Sequence, residues 1–367
     1  MAGTFKILMT ADTVGGVWTY TVDLCKAFEH YGTEVHLMTM GALLSNDQQM
    51  QVAQLKNVTL YESNYKLEWM QNPWQDIGLA SQWVASVYKK VKPDVIHFNN
   101  YGQVNAYQWD CPVVTVFHSC VQTWWQAVKG EEAPAEWEEY KQVVENALAA
   151  SDFVVAPTEA ILQEAGKIYG NLPETEIIYN GRDINVNHLQ QKEPYVLSAG
   201  RVWDEAKNIC LLSGVANNLD WPVYIAGGNT CPDTGVVYDN DNVHFLGFLK
   251  EADMQEQMAK AAVFCMPAKY EPFGLAVLEA ALQGCALALG DIPTLRELWG
   301  DAAVFFNPFD EDESITAIQS LIHDEELRKT LAAKASIRAK DFTAQAMAKQ
   351  YMQLYSKLCG NKQITQT

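Results

Sequence analysis

Tyr195-Val196-Leu197-Ser198-Ala199-Gly200 is the stretch on which the fold turns. A short apolar run closed by glycine reads as a buried strand. It lies midway along 367 residues and restarts a rhythm that the first half has already shown. That first series opens with the apolar run Phe5 to Thr10, the pair Gly15-Gly16, and a helical stretch carrying Val17, Val22, Leu24 and Phe28, which Gly32 closes. Strand candidates follow at Glu34–Met40, Val58–Tyr61, Asp94–Phe98, Val113–Phe117, Phe153–Ala156 and Glu176–Tyr179. The second series continues through Val223–Ala226, Val243–Leu246, Ala262–Met266, Cys285–Leu289 and Ala303–Phe306. Apolar strands alternating with amphipathic helices build a parallel sheet covered on both faces. Two series therefore predict an α/β protein of two facing, doubly wound Rossmann-like domains with a cleft between them. The polar stretch from Asp183 to Pro194 reads as the linker, and helical segments from Asp324 to about Leu358 finish the chain without a strand.

Composition narrows the function classes. Apolar residues make up 49% and charged residues 19%, enough apolar material for two cores and too much for general disorder. Twenty-six basic against 45 acidic side chains leave a net charge of −19, which repels nucleic acid and anionic headgroups. No run approaches the ~20 apolar residues of a membrane span. The N-terminal apolar run is too short for a signal peptide and ends at Asp12. Eight cysteines form no C-x-x-C pair and read as reduced thiols, which predicts a cytoplasmic protein.

In doubly wound sheets, ligands sit beyond the carboxyl ends of strands, so the residues there matter most. After the first strand, Gly15 and Gly16 open a helix. Paired glycines there let backbone N–H groups approach an anion, though a plain tight turn explains them equally well. The spacing lacks the G-x-G-x-x-G of a dinucleotide site, which argues against a dehydrogenase. His118 follows the run ending at Phe117, in a position that suits either a cleft ligand or an ordinary hydrogen-bonded side chain. Arg201 follows Gly200 directly, with Lys207 six residues on. Two cations at a strand end suit a diphosphate, whereas a salt bridge to Asp204 or Glu205 is the plainer account of Arg201 in isolation.

The richest stretch is Tyr270-Glu271-Pro272-Phe273-Gly274-Leu275-Ala276-Val277-Leu278-Glu279-Ala280-Ala281-Leu282. Pro272 fits a first helical turn, Gly274 exposes backbone to a ligand, and Glu271 would sit at the helix mouth. Glu279 lies about two turns in, among apolar residues. A buried carboxylate there needs a hydrogen-bond donor, which ligand hydroxyls or a distant arginine would supply.

With Glu271 and Glu279 framing Pro-Phe-Gly-Leu, this stretch resembles the signature of the family 4 retaining glycosyltransferases of the two-Rossmann-domain (GT-B) type. That family includes sucrose-phosphate synthases, glycogen-synthase relatives and bacterial glucosyl- and mannosyltransferases. Gly15-Gly16, Pro93-Asp94-Val95-Ile96-His97, Phe117-His118, Tyr179-Asn180-Gly181, Gly200-Arg201 with Lys207-Asn208, and Asp291 to Glu297 resemble its other segments, in the family's order along nearly the whole chain. The resemblance implies an acceptor-binding domain over 1–183, joined by a C-terminal helix at about 343–360, and a nucleotide-sugar domain over 195–342. It implies that Glu279 holds the ribose, and that Arg201, Lys207 and the backbone of Gly16 and Leu275 hold the diphosphate. Glu271 with the backbone of Phe273 and Gly274 would hold the hexose, and His118 would contact the sugar near the anomeric centre. Transfer of a hexose, with UDP-glucose as the default donor, would proceed with retention by a front-face route.

Two strings, Asp239-Asn240-Asp241 and Asp310-Glu311-Asp312, match the Asp-x-Asp of metal-dependent transferases. The first falls in a polar loop and the second reads as turn and helix cap, so no metal or other cofactor is expected. Arg182 departs from the family pattern after Asn-Gly. Trp69, Trp124 and Trp125 mark a candidate site for a carbohydrate or small-molecule acceptor, although large aromatics pack in cores just as readily. Residues 1–183 carry 11 basic and 22 acidic side chains, which disfavours a membrane-bound acceptor. A sugar-nucleotide epimerase and a non-catalytic sugar-nucleotide-binding protein of the same fold are the competing readings.

Overall fold

The computed structural model describes residues 4–186, 191–231 and 234–360. Seven strands form the first sheet: β1 (Lys6–Asp12), β2 (Glu34–Met40), β3 (Val58–Glu62), β4 (Val95–Phe98), β5 (Val113–Val116), β6 (Phe153–Ala156) and β7 (Glu174–Ile177). Six form the second: β8 (Glu193–Ala199), β9 (Val223–Ala226), β10 (His244–Gly247), β11 (Ala261–Met266), β12 (Ala286–Gly290) and β13 (Ala303–Phe306). The orders are β3-β2-β1-β4-β5-β6-β7 and β10-β9-β8-β11-β12-β13, and every neighbouring pair is parallel. Both are doubly wound Rossmann-like sheets, as the alternation of apolar runs predicts. Central strands such as β4, β5 and β11 are buried throughout, while the edge strand β7 exposes Glu174 and Glu176. Charges on an edge strand discourage pairing with another chain.

Two compact units result. Among the described residues, one comprises 4–126, 131–181 and 343–360, the other 127–130, 182–186, 191–231 and 234–342. Of the expected linker, residues 187–190 lie outside the described residues, and Glu193 and Pro194 already belong to β8. Proline is tolerated there because it stands at the start of the strand. The helix Ala344–Leu358 belongs to the first unit. Its Met347, Tyr351 and Tyr355 share one core with Ile7, Met9, Val35, Val114 and Val155, and with Tyr20, Leu24 and Phe28 of the helix Gly16–Phe28. The second unit builds its own core from Val196, Ile225, Val263 and Ala288, against Ile209, Leu212, Ile318 and Leu321 of flanking helices.

The strand order reverses between β1 and β4 in one sheet and between β8 and β11 in the other, the switch points at which such sheets hold ligands. In the second unit a close backbone approach shapes that edge. The Gly200 N–H donates to the Ala226 carbonyl at 2.9 Å, and a Cβ on Gly227, whose φ is +144°, would lie 1.9 Å from the Gly200 oxygen. No side chain fits. Gly227→Ala should therefore lower stability by about 1–3 kcal/mol, seen as an earlier denaturation midpoint, whereas Gly228→Ala, with open space around it, should change little.

Candidate functional site

The second unit gathers its charged residues around the β8/β11 switch point. Arg201 leaves the end of β8 and Lys207 follows in the same loop; Glu271 stands in the loop after β11. Backbone bonds tie these loops together. Lys269 N–H donates to the Ala206 carbonyl at 2.9 Å, and the Asn208 amide donates to Pro267 O at 3.0 Å and to Pro308 O at 2.7 Å. Asn208 holds φ at +55°, a left-handed conformation that asparagine tolerates. The result is a direct ion pair between Lys207 Nζ and Glu271 Oε2. An ammonium carries three N–H donors, so this pair orients Lys207 and leaves it donors for a further anion. Arg201 takes the plainer partner: one Nη donates to Asp204 at 2.6 Å while the guanidinium lies 5.1 Å from the Trp203 ring centre.

The helix Leu275–Leu282 starts later than Pro272 suggests. Pro272 precedes it, and Gly274 caps it at φ +86°, with no side chain bonding its first turn. The reason is the left-handed backbone of Gly274, which cannot continue a right-handed helix and favours glycine. At that left-handed angle a Cβ on Gly274 would stand 3.2 Å from Val277 and 3.3 Å from the Glu271 side chain. Glu271 therefore lies before the helix, not at its first turn, and its own carbonyl is pinned by Thr294 Oγ1 at 2.6 Å. Thr294 sits in the Asp291-to-Glu297 stretch, where Arg296 grips Asp291 with two bonds of 2.6 and 2.7 Å and holds that carboxyl below its ordinary value. Phe273 packs edge-on against Phe342 at 5.6 Å, so only its backbone is offered outward.

Glu279 finds the donor that a buried carboxylate needs, and it is an arginine. Arg182 Nη1 donates to Glu279 Oε1 at 2.5 Å and Nη2 to Glu251 Oε1 at 2.6 Å. Burial raises the Glu279 carboxyl above its ordinary value, and the guanidinium offsets part of that rise. The residue that departs from the family pattern thus answers the charge inside the helix. Spacing gave no sign of it, because the partners stand 97 positions apart.

In the first unit the β1/β4 switch point carries the glycine loop and a histidine. Gly15 (φ +111°) precedes the helix Gly16–Phe28, whose N-terminus has no side-chain cap and no acidic residue in its first turn. Such an end offers free N–H groups to an anion. His118 lies two residues beyond β5, half-buried, with Nε2 2.8 Å from Asn99 Oδ1 and its ring edge-on to Tyr20 at 4.7 Å. Burial drives its pKa down to about 3, so the ring is neutral at ordinary pH. Asn99 and Tyr20 went unremarked in the sequence. An asparagine after a strand reads as a turn residue, and nothing in the spacing points it at His118.

Trp124 and Trp125 share the helix Val121–Lys129, with rings 5.8 Å apart and edge-to-face. Trp69 is 40% exposed, while its neighbours Leu67 and Glu68 are buried. Asp310 caps the helix Glu311–His323 through the Glu313 N–H, as a turn-and-cap reading requires. Among the described residues no helix is long and apolar enough to cross a membrane.

Comparison with known proteins accords with this architecture. Residues 14–186 match Glycosyltransferase Family 4, and residues 181–338 match Glycosyl transferases group 1. The sulfoquinovosyl transferase SQD2 of Arabidopsis thaliana is 24% identical over 284 residues, covering 69% of this chain and 54% of SQD2. The chain spans 30% to 56% of the length of the first curated relatives it matches. Among solved structures, sucrose-phosphate synthase from Thermosynechococcus elongatus superposes with a TM-score of 0.78 at 18% identity, over 97% of this chain and 99% of that one. Anabaena HepE, solved in complex with UDP and glucose, gives 0.73 at 18% identity, over 96% and 100% of the two chains. These structural likenesses speak for the fold.

The Arg182–Glu279 pair generates a direct test. Arg182→Met leaves a buried carboxylate without its cation and should cost about 3–5 kcal/mol in denaturant unfolding. The double variant Arg182→Met/Glu279→Met should recover most of that loss.

Proposed function

The chain belongs to the two-domain glycosyltransferases, and from that premise we propose that it moves a hexose, with glucose favoured, from a nucleotide diphosphate sugar to an acceptor hydroxyl with retention. The observation that carries the proposal is the cluster at the β8/β11 switch point. There Lys207, oriented by Glu271, lies against Gly200 with Arg201 next in the chain, and the Glu271 side chain lies against Gly274 at the uncapped N-terminus of the helix Leu275–Leu282. Two cations and a helix N-terminus match the charge of a diphosphate and stabilise the negative charge that grows on it as the sugar departs. In this reading Glu271 accepts hydroxyls of the hexose through the oxygen that Lys207 does not hold. Glu279 takes the ribose hydroxyls through its remaining lone pairs, while Arg182 favours its ionised form.

UDP is the favoured nucleotide, a choice supported by HepE, whose structure is described as a complex with UDP and glucose. The backbone of Gly15 and Gly16 is assigned to the diphosphate and His118 to the sugar. The acceptor oxygen bonds to the anomeric carbon on the face from which the phosphate leaves. The C–O bond to phosphate breaks, and the acceptor proton passes to the departing phosphate oxygen. No protein nucleophile and no metal take part, since the cations carry the charge. Trp124, Trp125 and Trp69 are assigned to a carbohydrate or small-molecule acceptor, whose ring would stack on their faces. The excess of acidic side chains favours an acceptor that is not held at an anionic membrane.

Titration calorimetry of UDP, GDP and ADP in EDTA tests this. One diphosphate, UDP by expectation, should bind at micromolar concentration. Lys207→Ala should weaken it roughly ten- to hundredfold, the range expected for a lost charge-assisted bond. Glu271→Ala should keep nucleotide affinity within a few-fold of the parent and abolish transfer. Silence from all three nucleotides, or binding that requires a divalent ion, would overturn the assignment.

A further inference from the structure

A line of hydrogen bonds runs inward from His118 to the helix Ala344–Leu358. Asn99, 6% exposed, stands at its centre. Its Nδ2 donates to the Thr10 carbonyl at 2.8 Å, and its backbone N–H donates to Thr10 Oγ1 at 3.1 Å. A backbone carbonyl only accepts, so the Asn99 amide cannot be turned over without setting oxygen against oxygen. The Asn99 oxygen must therefore face the two imidazoles, His118 Nε2 at 2.8 Å and His97 Nε2 at 3.1 Å. An amide oxygen carries no proton, so each ring must bring its own.

The rest of the network agrees. Burial lowers His97 to about 4 and His118 to about 3, so each ring carries a single proton. If His97 carries it on Nε2, its Nδ1 is a bare acceptor, and the Tyr355 hydroxyl donates there at 2.5 Å. Tyr20 donates its own hydroxyl proton to Tyr351 at 2.7 Å, which leaves the Tyr20 oxygen free to share the His97 Nε2–H at 3.3 Å. Each donor that faces His97, His118 or the Asn99 amide meets an acceptor. Exchanging the proton on either ring would place two lone pairs face to face.

We propose that Asn99 is a positioning residue that fixes His118 as its Nε2–H tautomer, leaving Nδ1 as a lone pair that accepts a substrate hydroxyl and cannot donate. The hydroxyl is taken to be one on the transferred sugar, which rests on the transfer reading above; the tautomer itself does not. Tyr355 closes the relay from the other end by fixing His97, whose ring would otherwise be free to turn its proton away from Asn99.

Nuclear magnetic resonance of the full chain labelled with 15N-histidine, without substrate, reads the tautomer from long-range 1H–15N correlations, with the His118 signals assigned by their loss in His118→Gln. The parent should show His118 protonated at Nε2. Asn99→Leu, which keeps the volume and removes the acceptor, should turn this pattern into a mixture of the two tautomers. Tyr355→Phe should shift the His97 signals and leave the His118 pattern in place. With donor and acceptor present, Asn99→Leu should lower kcat/KM for the donor about five- to tenfold, the loss carried by one hydrogen bond. A parent His118 protonated at Nδ1, or an unmoved Nε2–H pattern in Asn99→Leu, would overturn the proposal. If the tautomer is as stated but no sugar is transferred, the transfer reading fails and the tautomer assignment stands.

Discussion

Parallel pairing of all the strands in both sheets sets where the chemistry can be. A parallel strand must be followed by a crossover, so each segment leaving a strand emerges at the same edge of its sheet as its neighbours do. In the second unit this brings together residues that lie about 70 positions apart, Arg201 and Lys207 after β8 and Glu271 after β11. In the first it brings Asn99 after β4 beside His118 after β5. The glycines at these edges serve the same constraint. Gly227 lets the chain pass against the Gly200 carbonyl, and Gly274 lets it turn into a helix directly above the Glu271 side chain.

Buried charge at the candidate site of the second unit is held in pairs rather than singly. Glu279 is held by Arg182, Lys207 by Glu271, and the buried histidines stay neutral because burial makes the imidazolium costly. Pairing of this kind contributes little net stability, since desolvation offsets most of the Coulomb attraction. Its effect is geometric. It holds Lys207 and Glu279 in one orientation each, and an oriented group loses less entropy when it meets a ligand.

Much of this was legible in the sequence because it is local. Apolar runs bounded by glycine and polar residues gave the position of every strand to within two or three residues, and the order of motifs gave the family. The Asp310 cap could be read from a turn followed by a helix. The start of the helix at Leu275 could not, because the left-handed Gly274 overrides the preference of Pro272 for a first turn. The partner of Glu279 was equally hidden. It was weighed as a distant arginine without a name, since an ion pair across 97 residues leaves no periodicity behind. Asn99 was missed for the opposite reason: its residue type is common after strands, and only the three-dimensional convergence of Thr10, His97 and His118 gives it a role.

The helix Ala344–Leu358 has a consequence for the order in which the protein is made. Its Met347, Tyr351 and Tyr355 fill the core of the first unit, yet residues 182–342 must be synthesised before it leaves the ribosome. Domains ordinarily fold in sequence as they emerge. Here the second unit can finish first, while the first waits with one face of its sheet covered only in part, by the helix Gly16–Phe28, and with His97 lacking the hydroxyl of Tyr355. The nascent chain thus exposes an apolar surface until residues 344–358 emerge, and the His97–Asn99–His118 relay is completed only at that step.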